Sequence, residues 1–452
     1  MGRVGVRMRS APPSTDAVFQ EATFDGDVPI GREELEQRPG TARSALRSRD
    51  FRVLWLAMFS SNVGTWMQNV ALGAFAYRLS HSATFVALVG FAQMGPVLLL
   101  APVGGMLADL VDRRRMLLLT NVEQMVFSGL LAWVAAMSDP PRALLLLVVL
   151  AIGVGGALNG PPMSSLLPNL VPRVDLPGAI SLQSVQMNLS RVVGPAIGGM
   201  LLPSIHASGV FAVNAGSYLF AVAGTFAIRS VAQGRAPSTE RGLRRLFGGV
   251  AVARRDPLVR TVLLTIAAIS FFCLPFIGLM PVIAAQNLHL DVTGVAYGLL
   301  YACFGLGAAS GAIAVGTVLV GYRRDRVIPI GLGCFGLALL VFALLRAAGP
   351  AYVVVFAVGF FYFATVTTLS TRLQEHLDDA VRGRVMALYM MGFGGMIPLG
   401  LLIAGNVAAH ASITIVVVYG AIVAAMLALV VHPREPLRRT ARQRVSAYGD
   451  KS

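Results

Sequence analysis

Lysine is almost absent from this 452-residue chain; the single one is Lys451. A phosphate loop of the form Gly-x-x-x-x-Gly-Lys-(Ser/Thr) needs a lysine after its second glycine, so the chain carries no nucleotide-binding loop of its own and is not by itself an ATP-driven pump. Charge of either sign is scarce, at 13% of residues, where soluble domains carry about 25%. Of the 22 acids, Glu123 alone lies well inside an apolar run. The three cysteines, Cys273, Cys303 and Cys334, fall in apolar runs without metal-ligand spacing and are expected to be packed thiols. The six histidines form no His-x-x-x-His pair. Glu375, His376, Asp378 and Asp379 gather in one loop and are expected to be salt-bridge partners. No metal site, cofactor or catalytic residue is expected, and the chain does not read as an enzyme.

Apolar sequence fills the space left by charge: hydrophobic residues make up 56% of the chain. A soluble fold this apolar would lack polar residues to cover its surface, so lipid must be the solvent. Twelve apolar runs are predicted as spans, near 52–77, 84–108, 115–137, 143–165, 179–203, 209–228, 259–285, 293–320, 327–346, 350–371, 384–408 and 411–431. Each reaches or exceeds the roughly 20 residues that cross a bilayer as a helix. The expected class is an all-α membrane protein with twelve transmembrane helices in two six-helix bundles.

The formal net charge of +15 invites comparison with nucleic-acid binders. The arginines instead sit in alternate loops and in the tails. With both termini inside, 33 basic residues fall on the inner side and three, Arg78, Arg142 and Arg346, on the outer side. That asymmetry is the positive-inside signal. It excludes a nucleic-acid partner and predicts a bacterial-type cytoplasmic membrane with both termini cytoplasmic. The expected partners are a small-molecule substrate and membrane lipid, with the chain monomeric.

The halves echo one another. Arg49-Asp50 before the first span is matched by Arg255-Asp256 before the seventh, Arg113–Arg115 by Arg323–Arg326, and Pro195 by Pro398, all at offsets of roughly 203 to 210 positions. Such duplication suits rocking-bundle transporters. The predicted organisation is a disordered N-terminal tail over 1–50, a first bundle over 51–229, a linker over 230–257 that includes an amphipathic surface helix, a second bundle over 258–432, and a tail over 433–452.

Two motifs carry a family resemblance. The run Gly104-Gly105-Met106-Leu107-Ala108-Asp109-Leu110-Val111-Asp112-Arg113-Arg114 resembles the loop signature of the major facilitator superfamily, Gly-x-x-x-Asp-(Arg/Lys)-x-Gly-Arg-(Arg/Lys). Gly105, Asp109, Arg113 and Arg114 match, while Leu110 and Asp112 replace a base and a glycine. The resemblance implies a conformational latch in which the acid meets the start of span eleven. In span five, Gly194, Pro195, Gly198 and Gly199 resemble the antiporter motif of superfamily exporters, with Ser181 and Ser190 in place of its upstream glycines. The run Asn188-Leu189-Ser190-Arg191-Val192-Val193-Gly194-Pro195 is similar to the branch of enterobactin exporters and drug-efflux proteins. Export is what these motifs imply; uptake or facilitated diffusion by the same fold, or an uncoupled channel or sensor, are the alternatives. Glycines beside a proline also make a kinked, closely packed helix.

Arg191 is the most informative residue. It lies about 13 residues into span five, roughly 20 Å deep at 1.5 Å per residue. A charge near the bilayer centre costs at least about 2.5–3.5 kcal/mol, so it must face a cavity or a partner. Ser184, Asn188, Arg191 and Pro195 share one helical face. Arg191 is expected either to attract an anionic group or a coupling carboxylate, or to bond carbonyls and Asn188. Asn62, Trp66, Asn69 and Gly73 share one face of span one, with Thr65 and Gln68 beside them, and Gln93 lies midway along span two. These amides and Trp66 are expected to bind substrate; amide pairs between helices are the alternative. Glu123 is the proton-coupling candidate, with a buried structural acid as its alternative. The second half offers Tyr297, Tyr301, Thr365 and Thr368 as its polar candidates. The expected mechanism is proton-driven export of a small amphipathic molecule such as a drug, antibiotic or siderophore, the proton gradient being the energy source.

Overall fold

A computed structural model describes residues 40–228, 243–319 and 321–431, with side chains excepted at 101–110, 243–248 and 379–380. The described residues are mostly helical, and none of them is in a strand. Ten stretches are long and apolar enough to cross a membrane. One of them, Arg173–Ala227, contains two spans. Its helix Leu176–Ala227 breaks at His206, whose φ of 59° and ψ of 177° interrupt the helical path. Before the break, Gly194 meets Val63 and Gly198 meets Met67, so span five runs parallel to span one. After it, Asn214 bonds Gln68 and Gly224 meets Ala57, so span six runs antiparallel. Span one, Arg49–Ser80, lies outside the ten because its amides and flanking charges dilute its apolarity. At 32 residues it is about 48 Å long, enough to cross and extend beyond the hydrocarbon. With it, and with the folded pair counted as two, the twelve expected spans are present.

The remaining spans are Ala83–Leu110, Arg113–Ala135 and Arg142–Leu170 in the first half. In the second half span seven is broken, with Pro257–Ala268 followed by a π turn at Ile269–Cys273 and short helices Pro275–Gly278 and Met280–Gln286. Val295–Gly316, Arg324–Leu344 and Ala348–His376 follow. Span eleven is Asp379–Met390, a π turn at Met391–Gly395 and Met396–His410; span twelve is Ile413–Val430. Pro275 sits just past one π turn and Pro398 just past the other, which fits the missing backbone donor of proline.

One expected boundary shifts. The tail assigned to 1–50 is ordered from Gly40: Thr41 caps a short helix, Ala42–Ala45, by accepting from the Ser44 N–H. Asp175, ahead of span five, accepts from the Gly40 N–H at 3.0 Å and from Ser44 Oγ at 2.6 Å. The polar composition that suggested disorder is used here to make caps and buried bonds. The linker contains the expected helix, Leu243–Arg255, and Gly249 on it packs against the Arg384 carbonyl of span eleven. Residues 1–39, 229–242 and 432–452 lie outside the described residues.

The halves meet through small residues. Gly199 of span five faces Gly298 of span eight so closely that a Cβ on Gly199 would lie 2.6 Å from the Gly298 Cα. Gly405 of span eleven faces Ala87 and the Ala83 carbonyl of span two, and Leu401 packs over Gly90. The Tyr297 hydroxyl donates to the Val70 carbonyl at 3.3 Å. These approaches occupy the end where span one finishes and span two begins. They extend to the level of Arg191, whose carbonyl lies against Gly305. Toward the arginine-rich end beyond that level, Ile180, Ser184 and Met187 of span five and Leu306 and Ile313 of span eight are exposed.

Candidate functional site

Arg191 sits where the seam between the halves stops. Its guanidinium carbon lies over the Trp66 ring at 5.1 Å and over the Phe363 ring at 4.9 Å. Trp66 belongs to span one and Phe363 to span ten, so one cation joins aromatic rings from both halves. Its Nε is enclosed and has no hydrogen-bond partner. No carboxylate among the described residues pairs with it. Cation–π contacts reach about 2 kcal/mol each when desolvated. Two of them are therefore comparable with the roughly 2.5–3.5 kcal/mol cost of placing arginine at this depth. Among the described residues, Arg191 is paired with no carboxylate and bonded to neither a carbonyl nor Asn188.

The other expected substrate contacts separate into three kinds. Asn62, one turn of span one from Trp66, is half-buried and makes no hydrogen bond among the described residues. Asn188 is half-buried and donates to the Ser184 carbonyl of its own helix at 2.9 Å. Asn69 and Gln93 are brought together, with Gln93 Nε2 donating to Asn69 Oδ1 at 2.7 Å. That bond ties span one to span two and leaves the pair half-buried.

Thr65 and Gln68 do not join the site. The Thr65 hydroxyl pairs with the Tyr218 hydroxyl at 2.9 Å, and Gln68 accepts from Asn214 at 2.8 Å. Asn159 donates to Thr120 and Asn121 at 2.9 and 3.1 Å. These amides and hydroxyls form an interhelical network inside the first bundle. Many of the polar residues of that half are therefore helix-packing groups, whose exchange energy in lipid is about 0.6–2 kcal/mol per bond. Glu123 lies on the span-three side of this network, facing Gly155 of span four. Both its carboxylate oxygens are enclosed without a donor.

The second half contributes aromatics rather than hydroxyls. Tyr297 is fully buried in the seam, and Tyr301 donates to the Ile277 carbonyl beside the break in span seven. Thr365 and Thr368 donate to carbonyls four residues back in their own helix. All four are thereby withdrawn from substrate. Sequence reasoning did not single out Phe363; the aromatic run Phe360-Phe361-Tyr362-Phe363 is the one sequence feature that marks it. Tyr362 is buried beside it, and its hydroxyl has no partner.

The latch residues divide too. Arg113 donates to the Ser165 carbonyl at the end of span four, and Arg114 donates to the Thr225 and Phe226 carbonyls at the end of span six. A cation at a helix C-terminus meets the negative end of its dipole. Both arginines therefore bind within the first bundle. The side chain of Asp109 and the surroundings of Gly105 lie outside the described residues. Gly194, Pro195, Gly198 and Gly199 are all buried. Gly194 and Gly198 admit span one, and Gly199 admits span eight. The motif is a packing seam on two sides.

Two six-helix bundles, with spans seven and eleven broken in the second, are consistent with a major facilitator transporter. The chain belongs to the transmembrane secretion effector family, MFS_3, which it matches over residues 40–448. It is 24% identical to the staphyloferrin A transporter of Staphylococcus aureus over 342 residues, covering 75% of this chain and 85% of the relative. It is 29% identical to the enterobactin exporter EntS of Escherichia coli over 360 residues, covering 75% and 80%. Among solved structures it superposes on the nucleoside transporter NupG with a TM-score of 0.65 at 14% identity, covering 84% of this chain and 98% of that one. A bacterial homologue of the human lysosomal transporter Spinster, inward-facing and unoccupied, superposes with a TM-score of 0.62 at 16% identity, covering 85% and 94%.

Proposed function

We propose that the protein exports a small amphipathic organic molecule across the cytoplasmic membrane, driven by protons and working by alternating access. The observation that carries this reading is the position of Arg191. It lies mid-membrane, between rings from both halves, where the glycine seam ends. A ligand held there touches both bundles, which is what couples binding to their rocking. The siderophore names of the relatives support a small organic substrate, and the span-five motif supports export. With the arginine-rich end in the cytoplasm, the sealed end faces outward and the site opens inward, ready to load.

Glu123 suits the role of proton carrier. A bare carboxylate enclosed without a donor would be an uncompensated charge, so the group is stable with a proton bound. Tyr218 and Gln124 connect its neighbourhood to span one through Thr65. The test is dye uptake into inverted membrane vesicles, where an export carrier moves substrate inward. Uptake should require an imposed proton gradient, and in Glu123→Gln it should fall at least tenfold while counterflow without a gradient persists. Gradient-independent uptake by the unaltered protein overturns proton coupling; full coupling in Glu123→Gln overturns its assignment.

A further inference from the structure

We infer that the substrate is an organic anion, bound through a planar oxyanion such as a carboxylate to the N–H donors of Arg191, with its apolar body against the open sides of the half-buried Trp66 and Phe363 rings. This rests on the transporter reading above and adds the sign of charge and the anchoring group.

The inference follows from what the site leaves unsatisfied. A guanidinium has five N–H donors and no acceptor, and its fork matches two oxygens of one oxyanion. The Trp66 and Phe363 rings stabilise the positive charge through their π faces. They supply no oxygen, and no hydrogen bond joins Arg191 to any described residue. Buried donors are ordinarily paired, so this one awaits its acceptor. Acids are available elsewhere: Asp325 pairs with Arg372 and Glu375 with Arg324, both near the arginine-rich end. None of the described acids pairs with Arg191. The flanking groups fit an amphipathic anion. Half-buried Asn62 and Asn188 lie about one turn from Trp66 and Arg191 toward the opening, and the enclosed Tyr362 hydroxyl is a second unpaired donor in the same region. A cationic ligand of the same shape would repel the arginine, and a neutral amide would offer it one uncharged acceptor oxygen in place of the two charged oxygens that match its fork.

The experiment uses the full chain in proteoliposomes. A panel of aryl and alkyl bodies is prepared, each as carboxylate, primary amide and primary amine, and counterflow is measured for every member. The carboxylates should be transported, with amides and amines of the same bodies at least tenfold slower. Arg191→Gln should abolish the preference, and Arg191→Lys should restore it partly, because lysine keeps the charge but not the fork. The charge comparison within the unaltered protein decides the question even if Arg191→Gln fails to fold. Transport of amides or amines as fast as carboxylates overturns the anion assignment and leaves the transporter reading intact. Carboxylate preference that survives in Arg191→Gln overturns Arg191 as the anchor. Transport of no panel member overturns both.

Discussion

Substituting Gly199 by alanine should open the sealed end of the molecule. The added Cβ would lie 2.6 Å from the Gly298 Cα and 3.2 Å from its nitrogen. Optimal carbon–carbon separation is about 3.5–4.0 Å, so spans five and eight must move apart by about 1 Å. Neither atom belongs to a flexible side chain; both are helix backbone, so the strain is relieved by separating the bundles. Overpacking of this kind costs about 1–3 kcal/mol. Because it is felt only where the seam is closed, it shifts the equilibrium between states by about 5- to 150-fold. The assay is a spin-label distance between Asp139 in the first half and Gly349 in the second, both exposed near the sealed end, in protein whose three cysteines are replaced by alanine. Gly199→Ala should lengthen the main distance or add a longer population. Gly216→Ala is the control, since a Cβ there meets nothing within 4 Å; it should leave the distances unchanged. If Gly199→Ala also leaves them unchanged, the glycine seam does not hold that end shut.

Three further outcomes follow from the same structure. Asp175→Ala should free residues 40–48 and make them sensitive to limited proteolysis, because that carboxylate accepts from Gly40 and Ser44. Those bonds, the Gly40 N–H foremost, hold the Asp175 carboxyl below its usual value. Its pinning is then complete above the ordinary aspartate range, about pH 3.9, and is lost as pH falls below it; unchanged cleavage across that window refutes the contribution. Asp256→Ala should lower the melting temperature, since Asp256 caps span seven through the Leu258 and Val259 N–H groups and meets His376 at 2.7 Å. Partial burial pushes the Asp256 carboxyl up, but the His376 bond and these N–H groups outweigh it and leave it low; a lost cap costs about 0.5–2 kcal/mol, and an unshifted melting curve counts against it. Arg114→Ala should likewise destabilise the first bundle by about 1–2 kcal/mol, by uncovering the Thr225 and Phe226 carbonyls. Equal melting of variant and parent would show those carbonyls are satisfied by water.

The spans were legible because their physics is local. Twenty apolar residues must cross lipid as a helix whatever surrounds them, and the expected segments correspond to the twelve spans described. The fold at His206 and the π turns at Ile269–Cys273 and Met391–Gly395 were less visible, because they depend on which neighbour each helix meets. The site was legible in part. Arg191 and Trp66 were marked by charge at depth and by helical spacing. Which face of span one turns outward from its bundle was not marked. Asn69, Gln68 and Thr65 are alike in polarity, yet Gln68 and Thr65 point into the first bundle while Asn69 pairs with Gln93.

Composition and spacing alone determined a twelve-span membrane protein in two halves, with its arginines gathered on one side and one cation deep inside. Those follow from solvation of single segments, which a sequence states directly. Tertiary structure alone decided that Arg191 faces Trp66 and Phe363 rather than an acid, and that the glycines of span five close a seam between bundles. Those depend on side chains far apart in the chain meeting across helix faces, and it is packing that brings them together.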